Sequence, residues 1–184
     1  QIKTQGRVHV TEEYTVTFNS YGGTPVPPAQ EVEYGPTATE PATAPTKTGY
    51  TFDGWYLGDE KYDFSDAVEQ NITLYANWEK NIYTVTYTDG VDGEEVFADQ
   101  TYRVPFEDTT PAFKGTKTRA GYVFAGWKPA FSDTVTGNVT YVAQWKDDKN
   151  NNGIADDEEE KYTVTYTDGV ANEEVFADQV YGDL

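Results

Sequence analysis

The sequence predicts a mainly β protein built as a tandem array of small modules, and three observations carry that expectation. The block Gly49-Tyr50-Thr51-Phe52-Asp53-Gly54-Trp55 returns as Gly121-Tyr122-Val123-Phe124-Ala125-Gly126-Trp127, with Gly, Tyr, Phe, Gly and Trp at the same places, so the chain is a repeat array. Each block follows a Tyr-Thr-Val-Thr strand, at Tyr14 and Tyr83, and precedes a strand ending in Trp, at Trp78 and Trp145. Pro36, Pro41 and Pro45 lie where a crossover helix would run, and proline inside a helix removes a hydrogen bond and clashes with the preceding turn. At most one helical turn fits there, so a small α+β module is the limit of departure from all-β. The predicted organisation is an N-terminal strand or end of a preceding module (1–13), repeat module 1 (14–80), repeat module 2 (81–146), an acidic linker (147–161) and a truncated third repeat (162–184).

Residues 8–11 alternate Val-His-Val-Thr and read as a lone strand; His9 is the sole histidine and has no partner at metal-ligand spacing. In the first module Tyr14, Val16 and Phe18 fall on one face of a strand and the threonines on the other. Asn19 to Gly23 form the turn, a return strand runs near Gln30–Tyr34, and a Pro-, Thr- and Ala-rich crossover occupies 35–48. The aromatic block is the third strand. Under strict alternation Trp55 and Trp127 would point away from the Tyr and Phe before them, so a bulge is expected at Gly54 and Gly126 to turn each indole onto the core. Residues 57–60 turn, Tyr62 to Phe64 extends, and a last strand presents Ile72, Leu74, Ala76 and Trp78 on one face. The second module repeats this order, with its return strand expected over Val96–Val104 and its crossover counted as four residues longer, from Tyr102 to Tyr122. Asn71-Ile72-Thr73 and Asn138-Val139-Thr140 match glycosylation sequons, but a turn asparagine before the final strand accounts for both. Residues 162–179 repeat 83–100 almost unchanged, and this third copy is expected to pack on the second module or on another molecule by strand addition.

Thirteen basic against 32 acidic residues give a net charge of −19, which repels nucleic acid and anionic membrane surfaces. The absence of cysteine removes disulfides, thiol nucleophiles and thiolate metal sites. No apolar run approaches the roughly 18 to 20 residues that span a bilayer, and the chain reads as an excised piece of a longer protein. With 15% aromatic residues and four tryptophans, aromatic rings are expected to supply most of each small core.

The Tyr-Thr-Val-Thr-Phe strand at 14–18, Pro-Thr-Lys-Thr-Gly-Tyr-Thr-Phe-Asp-Gly-Trp-Tyr at 45–56 and Ile-Thr-Leu-Tyr-Ala-Asn-Trp at 72–78 together resemble the Listeria-Bacteroides repeat, the B-repeat type of internalin B. The resemblance covers 14–78 and, more loosely, 83–145, where Lys128-Pro129 replace Tyr56-Leu57. It implies β-grasp-like modules in an elongated array along secreted or wall-attached bacterial proteins, acting as spacers or adhesive segments, with no catalytic residues to carry over.

One stretch carries chemistry. With Asp148 as position 1, oxygen donors fall at positions 3, 5 and 9 (Asn150, Asn152, Asp156), Gly153 at 6, the Ile154 carbonyl at 7 and Glu159 at 12, the spacing of a calcium loop. A hard cation of this size takes six to eight oxygens, glycine allows the sharp turn, and the last carboxylate closes the shell. The loop is similar to those of thrombospondin type 3 repeats and dockerins, with Asn152 in place of an Asp. Three charged donors among six imply weak calcium binding, on the order of 0.1 to 1 mM. A solvated acidic linker is the plain alternative.

The expected function is therefore a non-catalytic stalk or adhesin segment of a bacterial cell surface or wall, with a calcium-stiffened joint between repeats. Its expected partners are neighbouring repeats and a host or cell-surface protein or glycan. A carbohydrate- or protein-binding module using exposed aromatics, Trp55 and Trp127 or the surface tyrosines among the fifteen of the chain, is the competing class. Catalysis is set aside: Asp59, Glu60, Asp63 and Asp66 cluster near one turn, as acidic surfaces do by chance.

Overall fold

The computed structural model describes residues 11–161, 163–169 and 179–182; the strand expected at 8–11 and His9 lie largely outside them. The strands are β1 (Glu13–Asn19), β2 (Gln30–Glu33), β3 (Tyr50–Leu57), β4 (Glu60–Lys61), β5 (Ile72–Lys80), β6 (Ile82–Thr88), β7 (Gln100–Pro105), β8 (Tyr122–Lys128), β9 (Val139–Asp147), β10 (Thr163–Tyr166) and β11 (Gln179–Gly182). No helix occurs among the described residues, so the fold is mainly β.

The strands form sheets of order β2-β1-β5-β3-β4 and β7-β6-β9-β8, and β10 pairs with β11. In the first sheet β1 and β5 run parallel, Val16 opposite Ile72 and Phe18 opposite Leu74, while β1–β2 and β3–β5 are antiparallel. The alternation of β1 decides which face is covered: Val16 and Phe18 are buried with Val32, Ala38, Trp55, Val68, Leu74 and Ala76, and Tyr14, Phe52, Tyr62, Phe64, Ile72 and Trp78 close over that cluster. The prolines keep the crossover from β2 to β3 as coil, as expected.

The glycine bulges occur where alternation required them. Pairing shifts by one residue between Phe52 and Gly54 against β5, and between Phe124 and Gly126 against β9. Gly54 takes φ +145° and Gly126 +114°, angles that residues with a Cβ rarely adopt. Beyond the bulge Trp55 is 2% exposed, its ring edge-on to Phe18 and Phe52 at 4.9 and 5.5 Å between centroids.

By compactness the chain divides into one unit of residues 1–85, 102–110 and 132–139 and another of 86–101, 111–131 and 140–184. The first unit thus holds the whole first repeat together with three segments of the second, 81–85, 102–110 and 132–139. The second unit carries an aromatic cluster: Tyr87 stacks on Tyr141 at 5.3 Å, and Trp127 meets Tyr87, Phe113 and Phe124 at 4.9, 5.4 and 5.1 Å.

Two sequence expectations need correction. β7 begins at Gln100 rather than Val96, because the buried Asp89 carboxylate takes the backbone N–H of Val91 and Val96 and holds that passage as a loop. The longer crossover is a misalignment. Tyr34 and Phe106, not Tyr34 and Tyr102, are equivalent: Tyr34 N–H donates to the Glu12 carbonyl and Phe106 N–H to the Asn81 carbonyl, both at 2.8 Å. Sixteen positions then separate Tyr34 from Tyr50 and Phe106 from Tyr122 alike. The extra length lies partly in β7, which has 6 residues where β2 has 4. Pro129, which can donate no backbone hydrogen bond, ends β8 one position short of its counterpart, and no equivalent of β4 forms among the described residues.

Candidate functional site

Each aromatic block opens with a glycine at positive φ, Gly49 at +78° and Gly121 at +77°, and at both the chain makes the same tight turn: Tyr50 N–H donates to Lys47 carbonyl at 3.1 Å, and Tyr122 N–H to Arg119 carbonyl at 3.2 Å. The cation at the start of each turn lies over the tyrosine ring, Lys47 Nζ at 4.3 Å and the Arg119 guanidinium at 3.9 Å from the centroid. The residue three past the closing Trp then returns to the glycine. Asn81 N–H donates to the Gly49 carbonyl at 2.9 Å, and Asp148 N–H to the Gly121 carbonyl at 2.8 Å.

From there the two places diverge. At Gly49 the next repeat follows at once, and its Phe106 ring lies so close that a Cβ on Gly49 would overlap it. Phe106 stands edge-on to Tyr50 at 5.6 Å, Glu107 accepts from the Tyr50 hydroxyl at 3.4 Å, and Asp108 pairs with Lys80 at 2.8 Å. Asn81 also accepts from the Thr51 hydroxyl. This is a packed joint between repeats.

At Gly121 the acidic insert takes that role. Asp148 is 3% exposed, and its two carboxylate oxygens accept Asn152 N–H at 3.1 Å and Gly153 N–H at 2.9 Å. Asn151, at φ +55°, turns its side-chain oxygen onto Gly121 N–H at 2.8 Å. Asn150 and Asn152 each accept a backbone N–H two residues on, and both donate their amides to Glu159, Asn150 at 2.7 Å. Asp156 accepts Lys149 N–H at 3.0 Å and lies 3.6 Å from Lys149 Nζ. Gly153 takes φ +85° at the sharp turn, and Ile154 is 49% exposed.

The chain thus gathers Asp148, Asn150, Asn152 and Glu159 around one turn, while Asp156 reaches back to the backbone of Lys149. Two further acids of the insert face elsewhere. Asp157 and Glu158 hold Lys146 at 3.3 and 2.5 Å, and Glu158 followed by Asp157 raises the lysine's pKa above its usual value. Among the described residues, no three His, Cys, Asp or Glu groups are arranged as a metal cluster; half of the proposed donor set consists of amide and carbonyl oxygens. The donor chemistry still suits a weak oxygen-liganded cation: rotation of the Asn150 and Asn152 amides exchanges NH₂ for C=O toward Glu159, and the position-6 turn is already formed.

The tryptophans form no open platform. Trp55 is buried, Trp78, Trp127 and Trp145 are half-buried, and the Trp78 and Trp145 indole N–H groups donate to the Ser20 and Asp89 carbonyls at 3.0 and 2.8 Å. The sequon asparagines are also committed: the Asn71 and Asn138 side-chain oxygens accept Thr15 and Thr84 N–H, both at 2.8 Å. Sequence reasoning missed the joint at Gly49, whose signal was a glycine opening a strand with a lone aromatic, Phe106, two residues after Val104.

The architecture is a tandem array of small β modules, the second packing its Phe106 on the Gly49 turn of the first. The Listeria-Bacteroides repeat domain matches residues 14–77 and 83–144, and the chain belongs to that family. It is 34% identical over 178 residues, 89% of this chain and 30% of the relative, to Internalin H of Listeria monocytogenes serovar 1/2a. It is 37% identical over 147 residues, 73% of this chain and 16% of the relative, to a protein of Evansella cellulosilytica described as a Gly-rich membrane protein. The chain therefore spans less than a third of either relative. A solved pair of Streptococcal High Identity Repeats in Tandem domains from a cell surface protein is similar at 20% identity and a TM-score of 0.29, covering 73% of this chain and 98% of that one.

Proposed function

We propose that this chain is a non-catalytic spacer segment of a bacterial surface protein, with one joint made by direct packing of repeats and a second made by a calcium-binding loop. The observation that carries it is the substitution of partners at equivalent glycines: Phe106 on Gly49, and the Asp148–Glu159 loop anchored to Gly121 through Asp148 and Asn151. A spacer must hold successive modules in fixed relation, and both arrangements tie a module's aromatic turn to the segment beyond its last strand. The parallel β1–β5 pair and its crossover are in keeping with a β-grasp module whose helix is replaced by proline-rich coil. Attachment to the cell surface or wall follows the character of the relatives, whose greater length leaves room for anchors and binding regions.

Calcium supplies charge neutralisation in this reading. Asp148, Asn150, Asn152 and Glu159 would hold it, with the Ile154 carbonyl and Asp156 completing the set, and the repulsion between Asp148, Asp156 and Glu159 would be relieved. Isothermal titration of calcium into the full chain tests the site: binding in the 0.1 to 1 mM range that disappears in Asp148→Asn/Glu159→Gln supports it, and no heat at about 5 mM calcium removes it. The adhesive alternative draws on exposed aromatics other than tryptophan, since Tyr21 is 61% exposed and stands 5.4 Å from Tyr75. Glycan-induced change in tyrosine rather than tryptophan emission would favour it.

A further inference from the structure

Asn152–Gly153 is the one Asn-Gly step in the sequence, and it lies at the sharp turn of the acidic insert, with Gly153 at φ +85° and both residues exposed to water. The backbone nitrogen after an asparagine can close on the side-chain amide carbon to form a ring, and glycine leaves that approach clear because it has no Cβ. Three groups of the insert meet the three atoms that such a closure involves. The attacking nitrogen, Gly153 N–H, donates to Asp148 Oδ2 at 2.9 Å. The amide oxygen on which charge develops, Asn152 Oδ1, accepts Ile154 N–H at 2.8 Å. The leaving nitrogen, Asn152 Nδ2, donates to Glu159 Oε1.

The two asparagines before it lack this set. The nitrogen after Asn150 is that of Asn151, which donates to the Asp148 backbone carbonyl rather than to a carboxylate. Asn151 gives its own side-chain oxygen to Gly121 N–H at 2.8 Å, which commits that amide to the aromatic turn. Both are followed by a residue with a Cβ. At Asn152 alone a carboxylate held in place by burial, Asp148 at 3% exposed, faces the attacking N–H while a backbone N–H faces the developing oxyanion, the two forms of help that a positioned proton acceptor and a preorganised donor give.

We propose that Asn152 is a self-modifying residue, converted to aspartate by the loop that holds it. Gly153 N passes its proton to Asp148 Oδ2 and bonds to Asn152 Cγ; the Cγ–Nδ2 bond then breaks, and Nδ2 leaves as ammonia after taking that proton back through the surrounding water. Water next adds to Cγ of the succinimide, whose oxygen still faces Ile154 N–H, and the bond from Cγ to Gly153 N breaks, restoring the main chain with a carboxylate at residue 152. One water enters and one ammonia leaves, with no change of oxidation state. Addition at the backbone carbonyl would instead give isoaspartate; the Ile154 N–H polarises the side-chain carbonyl and favours the first course. One consequence rests on the calcium reading: the new carboxylate at position 5 is a fourth charged donor and tightens the site, so the joint strengthens as the protein ages.

The test is mass spectrometry of the full chain incubated at mildly alkaline pH, with EDTA present so that the outcome is independent of the calcium reading. Each conversion adds one mass unit, OH for NH₂, and proteolytic mapping assigns it. The expected result is a gain at Asn152 and not at Asn150 or Asn151, faster in the folded chain than in the same chain unfolded in urea, with a smaller isoaspartate share when folded. Asp148→Asn slows the gain by about 10²-fold, the low end of what a positioned proton acceptor contributes. A folded chain that gains mass at Asn152 no faster than the unfolded one, or an Asp148→Asn variant that converts at the parent rate, overturns the proposal. Should that variant disturb the loop, the comparison of folded with unfolded parent decides alone. Calcium titration of Asn152→Asp separates the two readings: binding about tenfold tighter than the parent's supports the consequence drawn, whereas heat from neither chain removes the calcium site and leaves the conversion to stand on its mass shift.

Discussion

Gly49 and Gly121 occupy the same place in their repeats, within one degree in φ and with the same carbonyl bond from the residue three past the closing tryptophan, yet they are completed by different means. Gly49 is covered by an aromatic ring of the following repeat, an apolar contact with the Lys80–Asp108 ion pair and the Tyr50–Glu107 hydrogen bond beside it. Gly121 is tied to a loop of carboxylates and amides, whose strength depends on what neutralises them. On the proposed reading the first joint is packed and the second is conditional on calcium, and the stretch between Trp and the next Tyr differs accordingly: four residues in the first case, sixteen in the second.

The largest expected effect concerns what both repeats share. Trp55→Ala removes a 2% exposed indole and should cost about 3–5 kcal/mol in denaturant unfolding. At half-buried Trp127 the same change should cost roughly half as much by buried area; equal costs would mean that the two cores are equally closed. Next, Gly49→Ala and Gly121→Ala separate strain from packing. Both lose about 1–2 kcal/mol for a Cβ at positive φ, but only Gly49→Ala meets a ring, adding about 1–3 kcal/mol. Equal melting shifts would remove the distinction between the joints.

A smaller contrast is in pH. Trp145 donates to the carbonyl of Asp89 where Trp78 donates to that of Ser20, so only the second repeat has a carboxylate at this turn. Burial pushes the Asp89 pKa up, but the backbone N–H groups of Val91, Val96 and Phe97, aided by Arg119, outweigh it and hold the group below its usual range. A lowered folded-state pKa gives stability that is present above the unfolded value near pH 4 and lost as pH falls through the folded one. Asp89→Ser should therefore cost about 1–2 kcal/mol at pH 7, with the difference in melting temperature from the parent closing as pH drops below about 4.

Much of this was legible in the residues. The alternation of β1, the need for a bulge before each indole and the prolines in the crossover are local, and local rules place them. The misplacement of Tyr34 against Tyr102 shows the limit. Equivalence there is set by which aromatic follows the bond to the preceding strand, a long-range pairing that no spacing count reveals. The loop was readable as a donor spacing, but its anchorage through Asn151 to Gly121 joins residues thirty positions apart, and Asn151 is not a donor position in the loop pattern at all.

The conditional joint is tested most directly by melting the full chain with and without calcium. At about 5 mM calcium and a dissociation constant near 0.5 mM, mass action predicts about 1.4 kcal/mol of stabilisation, seen as a rise of a few degrees in the transition of the second unit and absent in Asp148→Asn/Glu159→Gln. A melting profile unmoved by calcium, or a rise that persists in the double variant, would contradict the account.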